Sequence, residues 1–332
     1  MATSVLVATS RSNGWADALM VLSFGGPDGP AEVWPFLERV TGGRIPRERL
    51  EAVAARYMRL GGRSPIHDED AAFVAAIREE LDRRGPALPV YLAHRLSRPF
   101  VDEALAAMAR DGVQRAAVFV TSAFGSPPSC RAYTEALDAA RSRAGSSSPQ
   151  LARLGRFALH PLFLEIWIDN LRAALERAGA ARSGVPVLFT AHSIPRSMAR
   201  VSPYERELRA ASEAVAGACA VERWESCWQS RSGPADTWLG PDVAERVETL
   251  AREGHRELVV VPIGFFCDHM EVVWDLDVEL RRVCERLGVR MHRVATPARD
   301  PRAAALVREL LLAGPSSCDP GCCVAPERPP DR

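Results

Sequence analysis

Short apolar runs alternate with longer amphipathic stretches along this 332-residue chain, and that rhythm constrains its fold more than any other feature. The apolar runs at 18–24, 89–93, 116–121, 156–159, 185–190, 224–228, 258–263 and 290–294 read as strands. Between them, helical spacing of apolar residues covers 71–84, 101–110, 161–178, 205–218 and 241–252. Strand and helix in strict alternation predict parallel sheets with helices packed on both faces. Right-handed crossovers then bring the strand carboxyl ends to one edge of each sheet, where open α/β sheets bind ligands. A Gly-Ser-Pro stretch at 144–150 reads as a linker dividing the strands into two halves of similar rhythm. The fold class expected is therefore α/β. It comprises two similar Rossmann-like domains, each a parallel sheet flanked by helices, facing each other across a cleft. The boundaries expected are 17–152 with 300–315, then 153–299, then an irregular Cys-rich tail at 316–332.

Bulk composition removes several function classes. Hydrophobic residues make up 47% and charged residues 25%, with a net charge of zero, so no basic field for nucleic acid exists. All 42 basic residues are arginines, which reads first as a bias toward GC-rich codons and only second as suiting forked recognition of carboxylates at individual positions. No run approaches the roughly 20 apolar residues of a membrane span, and residues 1–15 lack the pattern of a signal peptide. The expectation is a cytoplasmic monomer whose eight cysteines are reduced and serve packing or ligation.

Two segments carry candidate chemistry. His192 follows the apolar run at 185–190, and Glu271, Asp275 and Glu279 recur every fourth residue in the helical stretch after 258–263. Such carboxylates share one helix face. A neutral imidazole opposite them can hold a divalent cation and take up protons. Simpler readings compete at each position. Asp268 and Glu271 have the spacing of a helix N-cap and its partner, and a histidine at a strand end is commonly structural. His269 points to another helix face and reads as structural. Gly25-Gly26 and Gly61-Gly62 fit no phosphate-binding spacing and read as tight turns. Of the tryptophans, Trp228 and Trp238 are the candidates to line a flat ligand, the rest being core.

Taken together, several ordered motifs resemble the ferrochelatase family, whose members insert ferrous iron into a porphyrin. These are Leu22-Ser23-Phe24-Gly25-Gly26-Pro27, Gly61-Gly62-Arg63-Ser64-Pro65, Thr190-Ala191-His192-Ser193-Ile194-Pro195, Trp228-Gln229-Ser230 with Trp238-Leu239-Gly240-Pro241-Asp242, and Val261-Pro262-Ile263-Gly264-Phe265 with Asp268-His269-Met270-Glu271-Val272. The likeness runs from about 18 to 313. It implies a porphyrin cleft between the two domains, with His192 and Glu271 as metal ligands and catalytic groups. Asp275 and Glu279 become an outer acidic path, and Asp268 is left as the helix cap. By the same resemblance Ser64 and Tyr133 contact the porphyrin, with Arg44, Arg56 and Tyr57 in contacting segments. The chemistry asks for these types: two pyrrole protons must leave as the metal arrives, and propionates favour arginine forks and hydroxyls.

Some ferrochelatases carry a [2Fe–2S] cluster on one internal and three C-terminal cysteines. The resemblance assigns that role here to Cys130, Cys318, Cys322 and Cys323, against the simpler reading of an unligated or zinc-binding tail. Cys219, Cys227, Cys267 and Cys284 read as buried small hydrophobes. The chain departs from the family pattern at Phe24, where some relatives place an iron-coordinating tyrosine, and at 93–100. The cleft lip at 41–49 reads as short and charged, which favours coproporphyrin III, with its four propionates, over protoporphyrin IX. Rival readings are a cobalt or nickel chelatase of the same fold and a non-catalytic haem binder. A binder needs no proton path, so the intact acidic stripe favours the enzyme.

Overall fold

The computed structural model describes residues 14–43, 45–179, 184–232, 237–318 and 322. The first half runs β1 (Ala18–Ser23), α1 (Val33–Thr41), α2 (Arg47–Arg59), α3 (Ile66–Arg84), β2 (Val90–His94), α4 (Val101–Arg110), β3 (Arg115–Val120), α5 (Ala132–Ala144) and β4 (Gln150–Arg153). The second runs α6 (Pro161–Arg177), β5 (Val187–His192), α7 (Arg196–Arg200), α8 (Tyr204–Ala218), β6 (Trp224–Gln229), α9 (Val243–Arg252), β7 (Glu257–Val261), α10 (Met270–Val272), α11 (Arg281–Arg286), β8 (Arg290–Arg293) and α12 (Pro301–Ala313). All strand pairs are parallel, in the orders β2-β1-β3-β4 and β6-β5-β7-β8. The two halves therefore repeat one topology, as their common rhythm predicts. The central strands β1 and β5 have neighbours on opposite sides that follow them through crossovers in opposite directions. This is the topological switch point at which a crevice opens beyond the strand ends.

The fourth strand lies elsewhere than expected. Residues 156–159 form no strand; Phe157 and Ala158 are buried in an irregular segment. The pairing strand is β4, which follows a 3-10 turn (Gly145–Ser147) inside the supposed linker. Its sequence, Gln150-Leu151-Ala152-Arg153, lacks an apolar run because β4 is an edge strand with one side unpaired.

The halves share a core. Phe119 from β3 stacks on Phe157 (5.1 Å between ring centroids), which meets Phe163 of α6 edge-on at 5.2 Å. Phe266, beyond β7, closes the group against Phe73 of α3 at 4.8 Å. Aromatic edge-to-face packing of this kind adds to area burial, and a large apolar interface resists relative motion of the halves. Helix α12 packs against both α3 and α6. No helix among the described residues is long and apolar enough to cross a membrane.

Helices α1 and α2 form a hairpin that charge alone conceals. Val33, Phe36, Leu37 and Val40 sit at helical spacing, as do Leu50, Val53, Ala54 and Tyr57. Val33, Phe36, Leu37, Leu50, Ala54 and Tyr57 pack on Met270 and Trp274. The lip at 41–49 thus joins two apolar-faced helices, and Arg47, Glu48 and Arg49 of that stretch form the first turn of α2.

Candidate functional site

His192 is the last residue of β5, the switch-point strand, and Glu271 lies in α10, just past the loop that leaves β7. Their side chains converge with His192 Nε2 3.6 Å from Glu271 Oε1. Gly264 makes that approach possible. Its N–H donates to the Thr190 carbonyl at 3.0 Å, and a Cβ there would stand 2.4 Å from the Ala191 Cβ. Only glycine lets the two strand exits pass so close. His192 Nδ1 donates to the Ser193 carbonyl at 2.5 Å, which leaves Nε2 for Glu271. The Gln229 amide, at the end of β6, donates to the Glu271 carbonyl at 3.1 Å.

The helix cap differs from expectation. His269, not Asp268, caps α10: its Nδ1 accepts the Glu271 N–H at 3.2 Å. Burial holds the His269 imidazole below its ordinary pKa, keeping it neutral and able to accept. Asp268 turns the other way, forked by Arg293 at 2.7 and 3.0 Å and reached by the Thr296 hydroxyl at 3.0 Å. A bidentate arginine outcompetes a local backbone N–H for a carboxylate.

The helix then winds as a π segment, Val273–Leu280, a form frequent at functional sites. Asp275 and Glu279 follow Glu271 outward. Asp275 accepts a hydrogen bond from the Ser230 hydroxyl. Ser230 itself is held at φ 59°, left-handed backbone that a non-glycine residue adopts only when its surroundings enforce it. Glu279 pairs with Arg56 of α2 at 3.4 Å, on the rim. Burial pushes Asp275 up to about 6, aided by Glu271 and Glu279 against the Ser230 bond. For His192, burial disfavours the charge, but the Glu271 carboxylate outweighs it and raises the imidazole to about 9. Glu271 is correspondingly held down at about 2, the His192 cation overcoming its burial. The expected neutral imidazole is thus an imidazolium at neutral pH, because a carboxylate stands beside it. The group tuned near neutrality is Asp275.

Glu271 and Asp275 open into a cleft of 530 Å³ under the α1–α2 hairpin. That size lies within the usual span for small-molecule sites. Phe24, Phe36, Tyr57 and Trp274 supply apolar wall, and Arg49, Arg56 and Arg231 supply charge. Burial, with Glu271 and Asp275 nearby, pushes the Tyr57 hydroxyl far up, so it stays a donor. Of the porphyrin contacts the motifs suggest, Arg56 and Tyr57 are on this wall, and Arg44 lies outside the described residues. Ser64 is buried against Gly26. Tyr133 is buried in the core behind β1, with the Arg95 guanidinium 5.4 Å from its ring. The same guanidinium covers Phe24 at 5.0 Å, so the unusual 93–100 stretch backs the wall. Trp228 is buried against Tyr204 and Trp238 pairs its backbone with Pro195; Trp274 takes the wall position expected of them. Arg49, Arg231 and Trp274 were not singled out by sequence, since none carries a distinctive local spacing.

The cysteines gather elsewhere. The Arg156 guanidinium donates to Cys318 Sγ at 3.2 Å and to Cys322 Sγ at 3.7 Å. Arg153, three residues before it, donates to the Cys130 carbonyl at 3.0 Å. Cys323 lies outside the described residues, and among those described no three His, Cys, Asp or Glu side chains form a group able to hold a metal. Cys219, Cys227, Cys267 and Cys284 are buried, as expected.

The family model for ferrochelatase matches residues 16–313. A coproporphyrin III ferrochelatase of Mycolicibacterium smegmatis is 46% identical over 301 residues, covering 89% of this chain and 88% of that protein. One from Mycobacterium sp. (strain JLS) is likewise 46% identical over 301 residues, covering 89% and 87%. Among solved structures, SirB from Bacillus subtilis with Fe3+ superimposes at a TM-score of 0.55 over 88% of this chain and 94% of that one. Its identity is 14%, so that likeness concerns the fold.

Proposed function

Because the chain belongs to the ferrochelatase family, we propose that it inserts Fe²⁺ into coproporphyrin III to give coproheme, using the His192–Glu271 pair. It is a metal-insertion enzyme. The observation that carries the assignment of the site is the 3.6 Å approach of His192 to Glu271, whose side chain lines an apolar-walled cleft. A flat macrocycle suits those walls. Arg49, Arg56 and Arg231 offer the forked donors that propionates favour.

Insertion exchanges one Fe²⁺ for two pyrrole protons, and before the metal arrives His192 already holds a proton of its own. Iron takes the place of that proton between Nε2 and Glu271, since a metal-bound imidazole must be neutral. The departing protons pass to Asp275, whose pKa near 6 allows it both to accept and to release. Glu279, on the rim beside Arg56, faces solvent beyond it. Each carboxylate thus differs from its neighbour in the task its surroundings set.

Anaerobic incubation with Fe²⁺ and either coproporphyrin III or protoporphyrin IX, followed by the Soret band, tests the substrate. Coproporphyrin III is expected to turn over with the higher kcat/KM. A preference for protoporphyrin IX, or insertion of cobalt or nickel but not iron, contradicts the proposal.

A [2Fe–2S] centre on Cys130, Cys318, Cys322 and Cys323 is the second part of the reading. What supports it is the placing of three of the four: Arg156 gathers the Cys318 and Cys322 sulfurs, and Arg153, three residues before it, holds the carbonyl of buried Cys130. When bound, such a centre supplies a four-thiolate crosslink and one-electron chemistry. The purified protein is expected to be reddish, with iron and sulfide in equal amounts, and Cys318→Ser to bleach it. A colourless wild type without sulfide contradicts this part alone.

A further inference from the structure

Glu207, in the first turn of α8, joins stretches far apart in sequence. One carboxylate oxygen accepts from Arg156 at 2.9 Å, and the other accepts the Gly125 N–H at 2.8 Å. Gly125 begins the loop that leads to Cys130. A Cβ on Gly125 would meet Pro203 Cγ at 2.9 Å and Arg156 Nε at 3.2 Å, so loop, guanidinium and helix start are packed without slack. Arg156 reaches onward to Cys318 and Cys322. One turn back along α8, the buried Tyr204 donates its hydroxyl to the His192 carbonyl at 3.0 Å. Its ring lies 5.7 Å from that of Trp228, on the neighbouring strand. Residues three apart on a helix share a face and move together. A continuous set of bonds therefore runs from the cysteine-bearing segment to the backbone of the residue that faces Glu271.

We propose that Glu207 and Tyr204 are positioning residues for metal insertion: they link Arg156, the contact of the Cys318 and Cys322 sulfurs, through α8 to the backbone of His192. The inference rests on the role given to His192 above. It does not depend on what the cysteines bind, because Arg156 contacts their sulfurs directly. Without the Arg156–Glu207 pair, the first turn of α8, which carries Tyr204, loses one of its side-chain ties. The Tyr204 hydroxyl then holds the His192 carbonyl less firmly, and displacements of about 1 Å suffice to slow a positioned reaction strongly.

A double-mutant cycle on the full-length protein tests this. Tyr204→Phe removes one hydroxyl and is expected to lower kcat about fivefold while KM for coproporphyrin III stays within about twofold. Arg156→Met is expected to lower kcat comparably, and the double variant to lose no more than the worse single one, since both act on one chain of contacts. Thermal unfolding confirms that each variant is folded. If Arg156→Met fails to fold, Glu207→Gln takes its place in the cycle with the same expectations. Losses that multiply, an unchanged kcat in Tyr204→Phe, or a loss confined to KM overturns the proposal. In each case an inactive His192→Ala shows that only the coupling has failed, whereas an active His192→Ala overturns the assignment of His192 on which it rests.

Discussion

His192→Ala is expected to lower the rate of iron insertion by at least about 10²-fold while porphyrin affinity, read by fluorescence quenching, stays close to wild type. The division follows from the geometry. The cleft walls that would hold the macrocycle come from the α1–α2 hairpin, Phe24 and Trp274, none of which depends on the imidazole. The strand end is held by backbone groups, with the Tyr204 hydroxyl on the His192 carbonyl and the Ser193 N–H on the Gln229 carbonyl at 2.8 Å. Alanine preserves both. What it removes is the nitrogen opposite Glu271, and Glu271 then loses the cation that holds its pKa low. A variant that still inserts iron at the wild-type rate would make His192 a structural residue. One that loses porphyrin binding as well would mean the imidazole shapes the cleft.

The dependence of iron use on pH is the second large effect. With His192 at about 9 and Glu271 at about 2, the metal-free pair holds one proton across the neutral range. Iron must displace it, so kcat/KM for Fe²⁺ is expected to rise roughly tenfold per pH unit and to level off near 9. The titration belongs to the pair rather than to either residue. Glu271→Gln removes the carboxylate that raises His192 and leaves the burial that lowers it. The plateau should then begin well below 9, at a rate reduced by about 10²-fold for want of the carboxylate. Citrate-buffered Fe²⁺ under anaerobic conditions allows the comparison between pH 6 and 9. A rise that begins at the same pH in both proteins would show that another group governs it. The same pair also contributes to folding. The His192 share is complete below the unfolded-state pKa of about 6.5 and is lost as pH rises through about 9. The Glu271 share is present above about 4.5 and is lost as pH falls through about 2.

Much of this was legible without coordinates because it is periodic. Buried parallel strands are written as apolar runs, and β1, β3, β5 and β7 stand out for that reason. Four-residue spacing placed Glu271, Asp275 and Glu279 along one line. Edge strand β4 escaped because half of its surroundings are solvent, and the buried but unpaired Phe157 mimicked it. The α1–α2 hairpin carries a clear apolar stripe, yet Arg47, Glu48 and Arg49 at the start of α2 dominate a reading by charge. The exchange of caps between Asp268 and His269 could not be read locally, since Arg293 reaches Asp268 across 25 residues of sequence. Nor could the protonation of His192, which is a property of the 3.6 Å distance. Nor could the sequence show that Tyr133 and the wall residue Phe24 share the Arg95 guanidinium, a contact among three separate segments.

The most direct measurement is a crystal structure of the wild-type protein soaked anaerobically with metal-free coproporphyrin III. The macrocycle is expected in the cleft beneath the α1–α2 hairpin, its central nitrogens facing His192 Nε2 and the Glu271 carboxylate, with propionates on Arg49, Arg56 or Arg231. A macrocycle bound with its centre away from that pair would contradict the account.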